Sequence, residues 1–319
     1  MRRALAWSGP IVAAGAVPLL AGGASGDSYV FVTAGRTLFS THWSHAFAHK
    51  VVQAGPLQLA LFGSIGRSSL ALGIVVALAT ILLLLWAFGA VGVKDPMVVC
   101  VVGVFAVGVS FTRFAYESGH PADAVLPLIW TLAAVHARRD HVARAGLLVG
   151  LSAGLETWGI LGVAVLALAP RWRAAGRGVS VAAGVTALLF LPFVLGGHFA
   201  MGAYHWQVKH PALLSLLVPA GTPFGWQLRL LQGAVAVSAG VAMARLMRRL
   251  PHAPWVVPLV VVGARLLADP LLLWYYKLGL EGPVLVGAAL FASRLTALKR
   301  KPRESLPLSR PPTRDGVPA

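Results

Sequence analysis

The chain has 319 residues, a mean hydropathy of +0.76 and only 12% charged residues. A soluble domain carries about a quarter of its residues charged, so a water-soluble globule is excluded and lipid is implied as the solvent. The formal net charge of +17 does not indicate nucleic acid: the basic residues sit in short clusters between apolar runs, the pattern that orients membrane helices, and no basic–aromatic domain is present.

The apolar runs are continuous rather than alternating, which predicts spanning helices and not a β-barrel. The first, 4–24, follows Arg2 and Arg3 and ends in small residues from Ala21 to Ala24. It resembles a signal peptide, but the polytopic remainder favours an uncleaved first helix. Segment 26–68 holds Asp27, an amphipathic stretch over 29–47 and the run Gln53-Ala54-Gly55-Pro56. It is too polar to span and reads as one or two interfacial helices. His42, His45 and His49, spaced i, i+3, i+7, would share one face of a helix. With no carboxylate beside them, a polar face is the ordinary reading and zinc the other.

Further spans are predicted at 69–92, 97–113 and 120–137. Cys100 lies in one of them and makes a disulfide framework impossible. A pair at 143–155 and 157–170 reads as a helical hairpin that enters and leaves on one side, with Glu156 at its tip. The spans 178–199, 226–246, 253–268 and 271–293 follow. Segment 201–227, with Tyr204, His205, Trp206, Lys209 and His210, is a second long outer loop. Residues 294–319 form a basic, Pro-rich tail, expected to be disordered near anionic lipid.

Charge placement selects the topology. With the hairpin on one side, about eight crossings leave both termini cytoplasmic. Most of the 27 Lys and Arg residues then face inward, including Lys94, Arg138, Arg139, Arg144, Arg171, Arg173, Arg177, Arg245, Arg248 and Arg249. The expected fold class is therefore all-α: a polytopic transmembrane helical bundle over 1–293 with a long outer first loop and a same-side hairpin. The Ala-, Gly- and Arg-rich composition suggests a GC-rich bacterial genome, and so the bacterial plasma (inner) membrane.

Three places could carry chemistry on the outer side. Asp27 is either a helix cap or a reactive carboxylate. Arg113, Tyr116, Glu117, His120 and Asp123 read equally as helix caps with an Arg113–Glu117 pair and as the polar rim of a cavity. Arg265 and Asp269, spaced i, i+4, are either a structural ion pair or a phosphate-binding guanidinium with its counter-ion.

The order of these features resembles the membrane-embedded glycosyltransferases of the GT-C class, especially bacterial polyprenyl-phosphate-sugar-dependent, mannosyltransferase-like proteins. The resemblance rests on Gly26-Asp27-Ser28-Tyr29 after the first span and on Gln53-Ala54-Gly55-Pro56-Leu57 closing the outer loop. It rests also on Glu117-Ser118-Gly119-His120-Pro121 and on the broken helix pair through Glu156-Thr157-Trp158. It covers roughly 1–200 plus 265–270. It implies Asp27 as the catalytic base; Arg265, His120, Glu117, His205, Lys209 and Glu156 are the expected substrate-binding residues. A polyprenyl-phosphate-linked sugar would be the donor, an envelope glycan or glycolipid the acceptor, and inversion the outcome, at a site on the outer face. It leaves a divalent metal as an open requirement and names no metal ligand. The competing readings are a transporter or lipid flippase, whose polar residues should spread across the bilayer depth, and a non-catalytic scaffold of an envelope-synthesis complex.

Overall fold

The computed structural model describes residues 2–109 and 111–300. They are all-α apart from one ribbon of two short strands. In chain order the helices are α1 (Arg2–Ala21), α2 (Ser28–Leu38), α3 (Pro56–Ile65), α4 (Ser69–Val91), α5 (Pro96–Gly108), α6 (Phe111–Glu117), α7 (Pro121–Arg138) and α8 (Val142–Leu155). Then come α9 (Trp172–Leu195), α10 (Trp226–Met247), α11 (Ala253–Leu267) and α12 (Leu278–Arg300). The ribbon pairs β1 (Trp206–Gln207) with β2 (Pro223–Phe224) antiparallel in the second outer segment.

Among the described residues, four helical stretches are long and apolar enough to cross a membrane: α4, α9, α10 and Trp274–Lys299. A fifth is added if α5 and α6, bent by 41°, make one span. This is a multi-pass membrane protein. The remaining apolar helices are shorter, among them α8, α11 and Ala6–Ala21.

Local chemistry sets the helix ends. The Ser68 hydroxyl accepts from the Ala71 N–H to open α4, and Gly92 closes it at φ 93°. Asp95 accepts from the Met97 N–H, with Pro96 at the first helical position of α5. α7 is buried on almost every side, so its apolar residues run all round the helix and not along one stripe. Two apolar cores meet along it. Leu128 and Leu132 belong to one, with α4 and α12; Leu126 and Trp130 belong to the other, with α8 and α11.

The segment 142–168 is a hairpin, as predicted, but its second arm is a twelve-residue 3-10 helix, Thr157–Leu168. Its two ends lie together: Arg171, just past the hairpin, is 3.5 Å from the carboxylate of Asp140, just before it. Inside the turn the Trp130 indole N–H lies 3.1 Å from both the Ser152 hydroxyl and the Gly159 carbonyl. The Ser152 hydroxyl sits 2.9 Å from that same carbonyl. Gly146, Gly150 and Gly154 form a small-residue stripe that lets α8 approach α9 closely. A Cβ on Gly150 would stand 2.6 Å from the Cβ of Val185.

The clusters read as inward-facing converge at one end of the bundle. The Arg245 guanidinium donates to the Ala169 carbonyl at 3.4 Å, and the Lys94 N–H to the Ser293 hydroxyl at 3.4 Å. Arg294 lies 3.4 Å from His252. Arg138, Arg248 and Arg249 share a pocket with Leu168 and Pro170.

Three sequence expectations change. The stretch 29–47 is not one amphipathic helix: α2 stops at Leu38, and a separate 3-10 turn covers Trp43–Phe47. The break undoes the shared face of His42, His45 and His49, and His45 instead stacks on His198 with centroids 3.7 Å apart. The span expected from 271 starts as a helix only at Leu278, after a 3-10 turn at Trp274–Lys277. Pro270 lacks an N–H, and the Leu271 N–H is taken by the Asp269 carboxylate at 3.1 Å, so neither feeds a helical ladder. At the other end α12 runs to Arg300, past the expected start of the tail at Arg294; the tail beyond it lies outside the described residues.

Gly150→Leu should separate α8 from α9 and lower stability by about 1–3 kcal/mol, the usual range for overpacking. Gly184→Leu on α9, where a Cβ meets nothing within 4 Å, serves as the control. Thermal unfolding in detergent should show a clearly lower midpoint for the first variant only.

Candidate functional site

A cavity of about 700 Å³ opens at the end of the bundle opposite the arginine clusters. Five separate pieces of chain deliver Asp27, His120, Glu156, Arg229 and Arg265 to it.

The corner between α1 and α2 is laced to the corner between α6 and α7. The Ser25 hydroxyl donates to the Glu117 carbonyl at 2.8 Å, and the Asp27 N–H to the Ser118 carbonyl at 3.4 Å. Both corners turn on glycines in the left-handed region, Gly26 at φ 60° and Gly119 at φ 77°. A Cβ on Gly26 would stand 2.6 Å from the Ser118 carbonyl oxygen. This close approach brings His120 to Asp27: the His120 Nε2–H donates to the Asp27 carboxylate at 2.9 Å.

Asp27 stands at the N-cap position of α2, yet its side chain makes no capping hydrogen bond. The carboxylate turns to His120 instead, which removes the main support for the cap reading. That hydrogen bond holds the Asp27 carboxyl below the usual carboxylate range, against the opposing effect of partial burial.

His120 is held as a plate. Its ring stacks on Tyr275 with centroids 5.0 Å apart and planes 8° apart, and Phe31 meets it edge-on at 5.2 Å. Its other nitrogen, Nδ1, faces Glu156 Oε1 at 3.9 Å, beyond hydrogen-bond reach but close enough for charge attraction. Burial works against a charged ring here. The hydrogen bond to Asp27 and the nearby Glu156, Asp123 and Asp27 carboxylates outweigh it and push the His120 pKa above that of a free imidazole.

Glu156 occupies the hairpin tip, as expected. The outer loop holds that tip: the Gly55 N–H donates to the Leu155 carbonyl at 2.8 Å, and Ala54 and Glu156 form an isolated antiparallel bridge. The Gln53-Ala54-Gly55-Pro56 run is therefore the clasp of the hairpin.

The other polar end is built from arginines. The Asp269 side chain is fully buried and accepts from Arg229 Nη1 at 2.9 Å and from Gln232 at 3.3 Å, with Arg265 Nη2 at 3.7 Å. Arg265 lies over the Trp158 ring at 4.4 Å, and Arg229 over the Trp206 ring at 4.2 Å. Two guanidinium groups thus share one carboxylate and are clamped by aromatic faces. Arg265 also feels the nearby Asp123 and Glu156 carboxylates, and Arg265 and Arg229 both line the cavity. Between the polar ends the walls are apolar, with Leu161 from the hairpin and Leu230, Gly233, Ala234 and Val237 along one face of α10.

Of the residues singled out in the sequence, Asp27, His120, Glu156 and Arg265 face this one cavity. Glu117, His205 and Lys209 do not line it. Glu117 pairs with Arg113 at 2.6 Å. The His205 ring lies beside Gly225, and Lys209 gives its backbone N–H to the Pro270 carbonyl at 2.9 Å while its side chain is exposed. Sequence reasoning missed Arg229. Its signal was present: Arg229 and Gln232 are the polar i, i+3 pair in the first turns of an otherwise apolar helix. It missed also the aromatic lining by Trp158, Tyr275 and Tyr276. Among the described residues no group of three or more His, Cys, Asp or Glu side chains is placed to hold a metal ion.

No known protein family, curated protein or solved structure matches the chain.

The Asp27–His120 pair should leave a mark on stability against pH. The raised His120 pKa stabilises the fold fully below about 6.5, the unfolded value, and this is lost as pH rises through the folded value. The lowered Asp27 pKa stabilises it above about 3.9, and this is lost as pH falls through the folded value. His120→Gln should therefore shrink the loss of thermal stability between pH 6 and pH 9. Identical slopes for the two proteins would exclude a charged pair.

Proposed function

We propose that the protein is a membrane glycosyltransferase of the GT-C type that moves a sugar from a polyprenyl-phosphate donor to an envelope glycan or glycolipid. The observation that carries this reading is the cavity itself. It places a carboxylate, Asp27, and a pair of guanidinium groups, Arg265 and Arg229, on one apolar-walled chamber. Transfer with inversion needs both: a base for the acceptor hydroxyl and a cation for the phosphate that leaves.

In the proposed reaction the Asp27 carboxylate takes the proton of the acceptor hydroxyl as that oxygen bonds to the anomeric carbon. The bond from that carbon to the phosphate oxygen breaks on the opposite side. The electron pair stays with the lipid phosphate, whose growing charge faces Arg265 and Arg229. His120 keeps Asp27 ionised and oriented, a positioning role, and Glu156 supports the imidazolium from its other side. The walls from α10 and the hairpin suit an isoprenoid chain. The polar groups gather at one end of the bundle, which favours a one-sided active site over a transport path.

The same reading places the protein in the bacterial plasma membrane with both termini cytoplasmic and the cavity outside. The eight crossings are then α1, α4, α5 with α6, α7, α9, α10, α11 and α12, with the hairpin returning to the cytoplasmic side. Reporters after Arg173 and Arg248 should be cytoplasmic, and those near Lys50 or His210 external. An external reporter at Arg173 rules out the same-side hairpin.

Asp27→Asn keeps size and capping capacity but removes the proton acceptor. Transfer from a lipid-phosphate sugar should fall by about 10²–10⁴-fold, the usual contribution of general acid–base catalysis, with donor binding little changed. A folded Asp27→Asn protein that transfers at the wild-type rate ends the assignment. Arg265→Lys should also impair transfer, because an ammonium does not replace a bidentate guanidinium contact. Full activity of the Lys variant would leave Arg265 a purely structural partner of Asp269.

A further inference from the structure

The opposite end of the bundle holds a second site that the transfer reaction does not use. Arg138 closes α7, Leu168 and Pro170 close the 3-10 arm, and Arg248 and Arg249 follow α10. Together these five residues line a pocket of about 370 Å³. Three guanidinium groups from two different elements thus stand over an apolar floor. Carboxylate compensation nearby comes from Asp140, which is already engaged by Arg171 at 3.5 Å. Positive-inside bias explains why arginines lie at this end. It does not require them to converge on one concave pocket.

A fourth arginine lies close to the pocket. Arg245, one turn before Arg248, is packed over the Trp172 ring at 3.4 Å and donates from Nη1 to the Ala169 carbonyl. Its Nε and Nη2 are buried and have no hydrogen-bond partner. Orphaned guanidinium donors are costly when buried.

The surroundings decide which anion. Trp172, Leu246 and Leu250 are exposed around this pocket, at 62%, 79% and 47%. Trp172 opens α9, and Leu246 and Leu250 lie at and just past the end of α10, two helices long and apolar enough to cross a membrane. A ligand here meets arginines on one side and exposed hydrophobic side chains on the other. That is the profile of a phospholipid, with its phosphate in the pocket and its acyl chains running along α10.

We infer that the pocket between α7, the 3-10 arm and α10 binds the headgroup of an anionic phospholipid. Arg138, Arg248 and Arg249, which line the pocket, hold the phosphate. A lipid so held ties the hairpin's return arm to α7 and α10.

The test uses the full-length protein in detergent, titrated with phosphatidylglycerol, with phosphatidylcholine or with inorganic phosphate. The readouts are retained lipid by native mass spectrometry and the thermal unfolding midpoint. Phosphatidylglycerol should be retained and should raise the midpoint; phosphatidylcholine and inorganic phosphate should not. Arg138→Gln/Arg249→Gln changes two side chains at the pocket rim and should weaken phosphatidylglycerol binding by about ten-fold or more, from the loss of two basic residues near a lipid phosphate. Lys94→Gln/Arg294→Gln removes the same charge from the same end away from the pocket and should leave binding within about two-fold of wild type. Equal loss in both variants would mean diffuse attraction to the basic face and overturn the site. Equal stabilisation by inorganic phosphate would overturn the lipid assignment, and unchanged retention in the Arg138/Arg249 variant would overturn both.

Discussion

Glu156 is a carboxyl group at the tip of a hairpin that starts and ends on the far side of the bundle. An ionisable group at such depth is tolerated only where it meets a partner or a polar cavity. Its Oε1 faces the His120 ring at 3.9 Å, its Oε2 is buried with no hydrogen-bond partner, and the residue lines the cavity. Much of the upper half of the bundle follows from that requirement. The outer loop clasps the hairpin at Gly55, the α6–α7 corner brings His120 across, and the α1–α2 corner brings Asp27 to the far nitrogen of the same ring. A row of carboxylate, imidazole and carboxylate results, with its ends contributed by segments more than a hundred positions apart in the chain.

The arginine end obeys the same rule with the sign reversed. Asp269 is fully buried and could not remain so beside apolar walls alone. Arg229, Arg265 and Gln232 satisfy it, and the aromatic faces of Trp158 and Trp206 cover the guanidinium groups that do so. An acid–imidazole end and a cationic end on one chamber make it a polarised cavity.

Much of this was legible in the sequence. Continuous apolar runs and basic clusters are properties of composition at each position, so the all-helical membrane character and the hairpin could be read from them, while four or five of the expected spans, among the described residues, are long and apolar enough to cross a membrane. Asp27, His120, Glu156 and Arg265 were visible because an ionisable residue next to an apolar run is conspicuous. What could not be read was direction. Glu117 and His120 are three residues apart, yet one turns to Arg113 and the other to Asp27, and the corner glycines that decide this act through backbone contacts with a distant segment. Arg229 was hidden because one arginine at a helix start looks like interface anchoring until Asp269 is seen beside it. The three histidines of the outer loop depended on a helix continuing past Leu38, and helix ends depend on tertiary contacts as much as on the local pattern.

The winding of the hairpin's return arm has a geometric consequence. Fourteen residues of α8 at about 1.5 Å each advance about 21 Å, and twelve residues of Thr157–Leu168 at about 2.0 Å each advance about 24 Å. The two arms therefore match in reach although they differ in residue count. Rewound as an α-helix, the return arm would be about 6 Å shorter, and the chain could not close between Arg171 and the tip without dragging Glu156 down. The tight coil acts as a spacer gauge: its pitch, rather than any side chain, sets the altitude at which the acid meets the imidazole.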